Sequence, residues 1–111
     1  MLAKFGKFCA LLIGLLCASP SLAFDWSVSG HVIAIEGTYM PSNLPFQIDV
    51  AGGSCAAGTF LHWNIGGSDA TTRNINAQSV LSILMTAKSS GQKVTVFGNN
   101  SGCTIDFIYL Q

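Results

Sequence analysis

Two histidines, five carboxylates and four cysteines are the side chains in this 111-residue chain that could carry acid–base, nucleophilic or metal chemistry. Acid–base and nucleophilic catalysis need such groups within hydrogen-bond reach of one another. Asp25, Glu36, Asp49, Asp69 and Asp106 form no adjacent pair, and the chain contains neither a G-x-S-x-G elbow nor an H-E-x-x-H pair. His31 and His62 fall on separate expected strands. A metal centre requires three or four converging ligands, and only scattered His and Asp remain once cysteines pair. The residues therefore predict a non-enzymatic protein with no catalytic residue, no metal and no cofactor.

Sugar recognition asks for other groups: an aromatic face for the apolar side of a ring, with hydroxyls, amides or carboxylates for its hydroxyl groups. Trp26, Tyr39 and Trp63 supply the aromatics, with Ser27, Ser29, Asn43, His62 and Asn64 close in sequence. Trp63 shares its parity with Leu61 and Ile65 and is expected in the core. Trp26 and Tyr39, near the ends of the first strand and its loop, are expected to be exposed. The candidate ligand-binding set is Tyr39, Trp26, Ser29 and Asn43, with Tyr39 in its Pro-bounded loop preferred.

Residues 1–23 read as a secretory signal peptide. Lys4 and Lys7 form a basic head, Phe8 to Ala18 an apolar stretch, and Pro20-Ser21-Leu22-Ala23 a small-x-small cleavage site. The apolar stretch is about eleven residues, short of the roughly 20 that a spanning helix needs. No membrane span is expected, and the localisation is secreted or periplasmic. Residues 24–111 form the single expected domain. It keeps Cys55 and Cys103, which are not spaced as a C-x-x-C pair, and an oxidising compartment favours joining them as a disulfide. Such a staple suits a domain of this size.

Charged residues make up 9% of the chain, against roughly 25% in typical soluble domains. Residues 24–111 carry Arg73, Lys88 and Lys93 against the five acids, a formal −2. No clustered basic face exists, which excludes nucleic acid as a partner. The surface is built mainly from Ser, Thr, Asn and Gln, which suits oligomer faces or sugar contacts.

The elements that must position these groups follow from the apolar period. Alternation from Trp26 to Ile35 predicts a first strand, and Gly37 to Pro45 a loop. Phe46, Ile48 and Val50 mark a second strand, followed by a Gly52-Gly53-Ser54 turn; Cys55 to Ile65 reads as a third. After Arg73 the period changes: Ala77, Val80, Leu81, Leu84 and Ala87 predict a helix, capped by Asn74 or Asn76 and ended at Gly91. Its outward face would carry Gln78, Ser79, Ser82, Met85, Thr86 and Ser89. Gln92 to Phe97 and Thr104 to Leu110 complete the strands, with Ile105, Phe107 and Tyr109 on one face. Asn99-Asn100-Ser101 matches a glycosylation pattern but is read as the turn between them.

Five strands with one helix between the third and fourth predict a mostly β fold, a five-stranded OB-like Greek-key barrel (β-β-β-α-β-β). An open antiparallel sheet with the helix packed on one face is the alternative. In a 1-2-3-5-4 strand order the cysteine pair would tie the start of the third strand to the start of the fifth.

The run Gln78-Ser79-Val80-Leu81-Ser82-Ile83-Leu84-Met85-Thr86-Ala87-Lys88-Ser89-Ser90-Gly91-Gln92-Lys93-Val94-Thr95-Val96 resembles the helix, turn and strand of small exported OB-fold proteins related to the B subunits of subtilase cytotoxin and pertussis-like toxins. Gly102-Cys103 and the ending Ile105-Asp106-Phe107-Ile108-Tyr109-Leu110 are similar to short bacterial exported proteins of the same layout. The resemblance covers the last third of the chain. It implies a glycan-binding subunit that forms a ring, typically a pentamer with helices facing the pore, and works beside a catalytic A subunit. A small periplasmic or secreted structural or inhibitory protein acting through protein contacts is the second expectation.

Overall fold

The computed structural model describes residues 24–111; the expected signal peptide lies outside them. Five strands and one long helix follow in the order β1 (Trp26–Ile35), β2 (Pro45–Ile48), β3 (Leu61–Trp63), α1 (Ala70–Ser90), β4 (Lys93–Gly98) and β5 (Thr104–Leu110), with a 3-10 turn at Ser101–Cys103 before β5. The long β1 serves two partners. Its first half pairs with β4, Trp26 to His31 opposite Gly98 to Lys93, and its second half with β2. β2 continues to β3, β3 lies parallel to β5, and β5 is antiparallel to β4. The pairings run in a closed circuit, β1-β2-β3-β5-β4 and back to β1. The expected strand order is present, and the one parallel pair makes the sheet mixed.

The interior is filled by alternate residues of the strands and one stripe of the helix. Leu44, Phe46, Ile48, Val94, Val96 and Ile105 are fully buried from the sheet side, and α1 adds Ala77, Val80, Leu84 and Ala87. Those helical positions recur at three and four, so they form one apolar stripe. Trp63 is in this core, as expected, with its indole Nε1 donating to Asn76 Oδ1 at 2.7 Å.

The helix starts earlier than its apolar period suggests. Asp69 is the N-cap: its carboxylate accepts from the Thr72 N–H at 2.8 Å, while Thr72 Oγ1 accepts from the Asp69 N–H at 3.3 Å. This reciprocal box satisfies two of the orphan donors of the first turn. Asn76, one of the expected caps, has a different task, since its Oδ1 also accepts from the Gly66 N–H at 3.0 Å. At the other end the expectation holds. Gly91 takes the left-handed conformation, φ 75°, and its N–H donates to the Ala87 carbonyl.

Two strand expectations are corrected. The third strand is confined to Leu61–Trp63, because residues 51–60 form turns, with Gly53 and Gly58 at positive φ and a short Gly52–Cys55 bridge. On β5 the pairing slips between Phe97–Phe107 and Gly98–Ile105, leaving Asp106 as an extra residue. Such a bulge reverses the side-chain parity beyond it. Ile105 is buried, whereas Phe107 and Tyr109 face outward.

Cys55 and Cys103 form the disulfide, with Cα atoms 5.9 Å apart. It joins the turn before β3 to the 3-10 turn before β5. Asn100 reinforces the junction: its Oδ1 accepts from the Ser54 N–H at 2.9 Å, and its own N–H donates to Asp25 Oδ2 at 3.0 Å. Among the described residues no helix is long and apolar enough to cross a membrane.

Candidate functional site

The four residues expected to bind a ligand are distributed over three places. Tyr39 and Asn43 belong to one loop between β1 and β2. The Tyr39 carbonyl accepts from the Ser42 hydroxyl at 2.7 Å and from the backbone N–H groups of Ser42 and Asn43 at 2.9 and 3.1 Å, which leaves the ring 54% exposed on a tied loop. Asn43 turns toward β3, its Oδ1 lying 3.4 Å from His62 Nδ1. Ser29 sits on the outer face of β1, where its hydroxyl pairs with Thr95 Oγ1 at 2.8 Å.

Trp26 is not an exposed platform. Its indole lies in a slot walled by glycines: a Cβ added at Gly52, Gly53 or Gly98 would stand 2.3, 2.4 or 2.6 Å from a ring atom. The ring packs against the core and its Nε1 is buried without a hydrogen bond. Sequence reasoning placed Trp26 at a strand end and missed that three glycines from two segments, the Gly52-Gly53 turn and the end of β4, close over it. Gly98 is opposite Trp26 in the β1–β4 ladder, and glycine facing a tryptophan is the signal that could have shown this.

Beside the Tyr39 loop runs a groove of about 560 Å³ between Gly37, Met40 and Pro41 on one wall and Asn74, Gln78, Leu81, Ser82 and Met85 of α1 on the other. Gln78 Nε2 donates to Asn74 Oδ1 at 3.1 Å, so the amide pair is held in one orientation. The groove presents amides and a hydroxyl next to thioether and aliphatic carbon, and no charged side chain lines it. Such a lining can donate and accept hydrogen bonds beside apolar carbon.

A second surface was not legible in the alternation. Phe24, Phe97, Phe107 and Tyr109 cluster on the outer face of β4 and β5, enclosing a shallow recess of about 250 Å³. Phe24 and Phe97 have centroids 4.9 Å apart, Phe97 and Phe107 6.0 Å, Phe97 and Tyr109 5.6 Å, all edge to face. Phe107 and Tyr109 remain 44% and 56% exposed. The bulge at Asp106 puts them there.

Among the described residues the one close pair of an acid and a histidine is His31 with Asp49. The His31 N–H donates to Asp49 Oδ1 at 2.7 Å, and His31 Nδ1 lies 3.0 Å from Oδ2. Gly30 makes the approach possible, because a Cβ there would meet Asp49 Oδ1 at 2.9 Å. The backbone N–H of His31 foremost, then its ring, holds the Asp49 carboxyl below its ordinary value. The neighbouring outward hydroxyl, Ser29, is engaged with Thr95. Asp69 is likewise held low by the Thr72 N–H at the helix start.

Among the described residues no group of three or more His, Cys, Asp or Glu converges as metal ligands would. Comparison with known proteins finds no matching family model, no similar curated protein and no similar solved structure.

Proposed function

We propose that this chain is an exported, non-enzymatic binding module of OB type that recognises glycans at the groove between the Tyr39 loop and α1 and assembles with copies of itself. The groove carries the reading: a cavity of about 560 Å³ lined by Asn74, Gln78 and Ser82 facing Met40 and Pro41, which follow the exposed Tyr39 in its loop. Its volume is within the range of small-ligand sites, and a few placed polar groups in an apolar cleft give orientation and specificity. The closed circuit of strands with the helix between the third and fourth supports the OB assignment. The resemblance of the helix and following strand to toxin B subunits supports ring assembly and a catalytic A-subunit partner. The disulfide supports a secreted or periplasmic location.

The second reading is a structural or inhibitory protein acting through protein contacts, and the exposed aromatic face favours it. A glycan array probed with disulfide-intact protein, displayed multivalently, separates the two. Binding that falls at least tenfold in Tyr39→Ala and Gln78→Ala supports the groove. No signal on any glycan overturns the lectin reading.

A further inference from the structure

The bulge that turns Phe107 and Tyr109 outward is fixed from two sides. The Asp106 carboxylate accepts from Asn64 Nδ2 at 3.1 Å and from Asn99 Nδ2 at 2.9 Å, so the end of β3 and the loop before β5 hold the extra residue in place. Phe24 is tied as well, because the N–H of the next residue, Asp25, donates to the Gly98 carbonyl at 2.8 Å and sets Phe24 beside Phe97. The four rings around the recess therefore stand on bonded backbone. A site already formed in this way loses little freedom when something enters it.

The ring angles say what suits the recess. Phe97 meets Phe24, Phe107 and Tyr109 at 68°, 89° and 84°, and Phe24 meets Phe107 at 83°. Phe24, Phe97 and Phe107 thus bound a corner as three walls of a box do, with centroids 4.9 to 6.3 Å apart, and Tyr109 adds a fourth side. A group seated in that corner lies within roughly 6 Å of each ring centroid, the range over which an aromatic face attracts a cation.

We propose that this recess is a binding site for a quaternary ammonium group of the choline type. Among the described residues no Lys or Arg side chain lines the recess, and no carboxylate lines it as a counter-ion. The two acids next to these rings in sequence are engaged elsewhere: Asp25 Oδ2 accepts from the Asn100 N–H at 3.0 Å, and both Asp106 oxygens are taken by the asparagines. Binding then comes from ring faces and apolar contact alone. That condition selects among cations. A primary ammonium gives up hydrogen bonds to water that aromatic carbon cannot replace, whereas a trimethylammonium has no N–H to satisfy and brings methyl groups to the rings while keeping its charge. The recess, about 250 Å³, takes a group of that size. It is separate from the groove and does not depend on glycan recognition there.

The test is an amide NMR titration of the chain expressed with its own leader and purified with its disulfide formed. Three alcohols are compared: choline, its uncharged isostere with C(CH₃)₃ in place of N⁺(CH₃)₃, and ethanolamine, which keeps a charge without the methyls. The expected result is a choline dissociation constant on the order of 1 mM, about tenfold tighter than either control, with shifts centred on Phe97, Phe107 and Tyr109. Phe107→Leu and Tyr109→Leu each keep an apolar side chain but remove a ring face, and each is expected to weaken choline roughly fivefold and the isostere by less. Unchanged α1 signals show that these variants are folded. Absence of choline binding overturns the site. Equal affinity for the isostere overturns cation recognition and leaves an apolar surface of the kind a protein partner covers, and shifts confined to the Tyr39 groove overturn the location. Sedimentation with phosphatidylcholine vesicles, against phosphatidylglycerol vesicles, distinguishes the source of the group. Retention that free choline competes away supports a lipid headgroup as the ligand, and choline binding without retention supports the free small molecule.

Discussion

Trp26 and Trp63 are of equal size and both pack on the core, yet they meet their polar atom's needs in opposite ways. Trp63 Nε1 donates to Asn76, whereas Trp26 Nε1 is buried with no acceptor. Replacing each with Phe removes a similar volume but a different hydrogen bond. Trp63→Phe is expected to cost about 1 kcal/mol more than Trp26→Phe, the net worth of one hydrogen bond, as read from urea midpoints at constant slope. Titration belongs at this scale too. Asp49 is held below its ordinary value of 3.8 by His31, so its unfolded pKa lies above its folded one. Its contribution is complete above the unfolded value and is lost as pH falls through the folded one. Stability measured from pH 5 down to pH 2 should therefore fall less steeply in Asp49→Asn, and an unchanged slope would show that the contact is not coupled to folding.

The helix and the disulfide carry the element scale. Removing the staple with Cys55→Ser/Cys103→Ser frees a loop of sequence separation 48, for which chain entropy predicts a loss of about 4 kcal/mol; thermal melting against the oxidised parent measures it. Much of this level was legible beforehand. The stripe Ala77, Val80, Leu84, Ala87 and the terminal Gly91 announce α1, because a buried face and a left-handed cap leave unambiguous residue types. The helix start was not, since a box made by Asp69 and Thr72 lacks the usual Glu or Gln partner and lies outside the apolar period. The outward turn of Phe107 and Tyr109 was hidden for a deeper reason. A bulge adds one residue to one strand and leaves no mark in that strand's own composition, so Ile105, Phe107 and Tyr109 read as a single face. Likewise β3 shrank because Gly53 and Gly58 take positive φ, which alternation cannot register. The candidate site shows the same division. Tyr39 was visible in its Pro-bounded loop, but the groove beside it is made of helix residues brought there only by the crossover from β3 to β4.

At the scale of the whole molecule, the strands close upon themselves and leave the groove and the aromatic face on separate elements. The groove uses α1 and the loop after β1, while the aromatic face uses β4, β5 and Phe24. The glycan array therefore reads the groove alone, and a substitution on the aromatic face is expected to leave its result unchanged. The disulfide adds a property of a different kind. Residues 56–102, which include β3, α1 and β4, lie inside the covalent loop. A protease that clips the exposed Gly66–Ser68 segment makes two polypeptides that remain one molecule. Its mass should be unchanged apart from one added water until a reductant is supplied, when two fragments should separate. Under the proposed export, a cut in this exposed segment need not dismantle the protein.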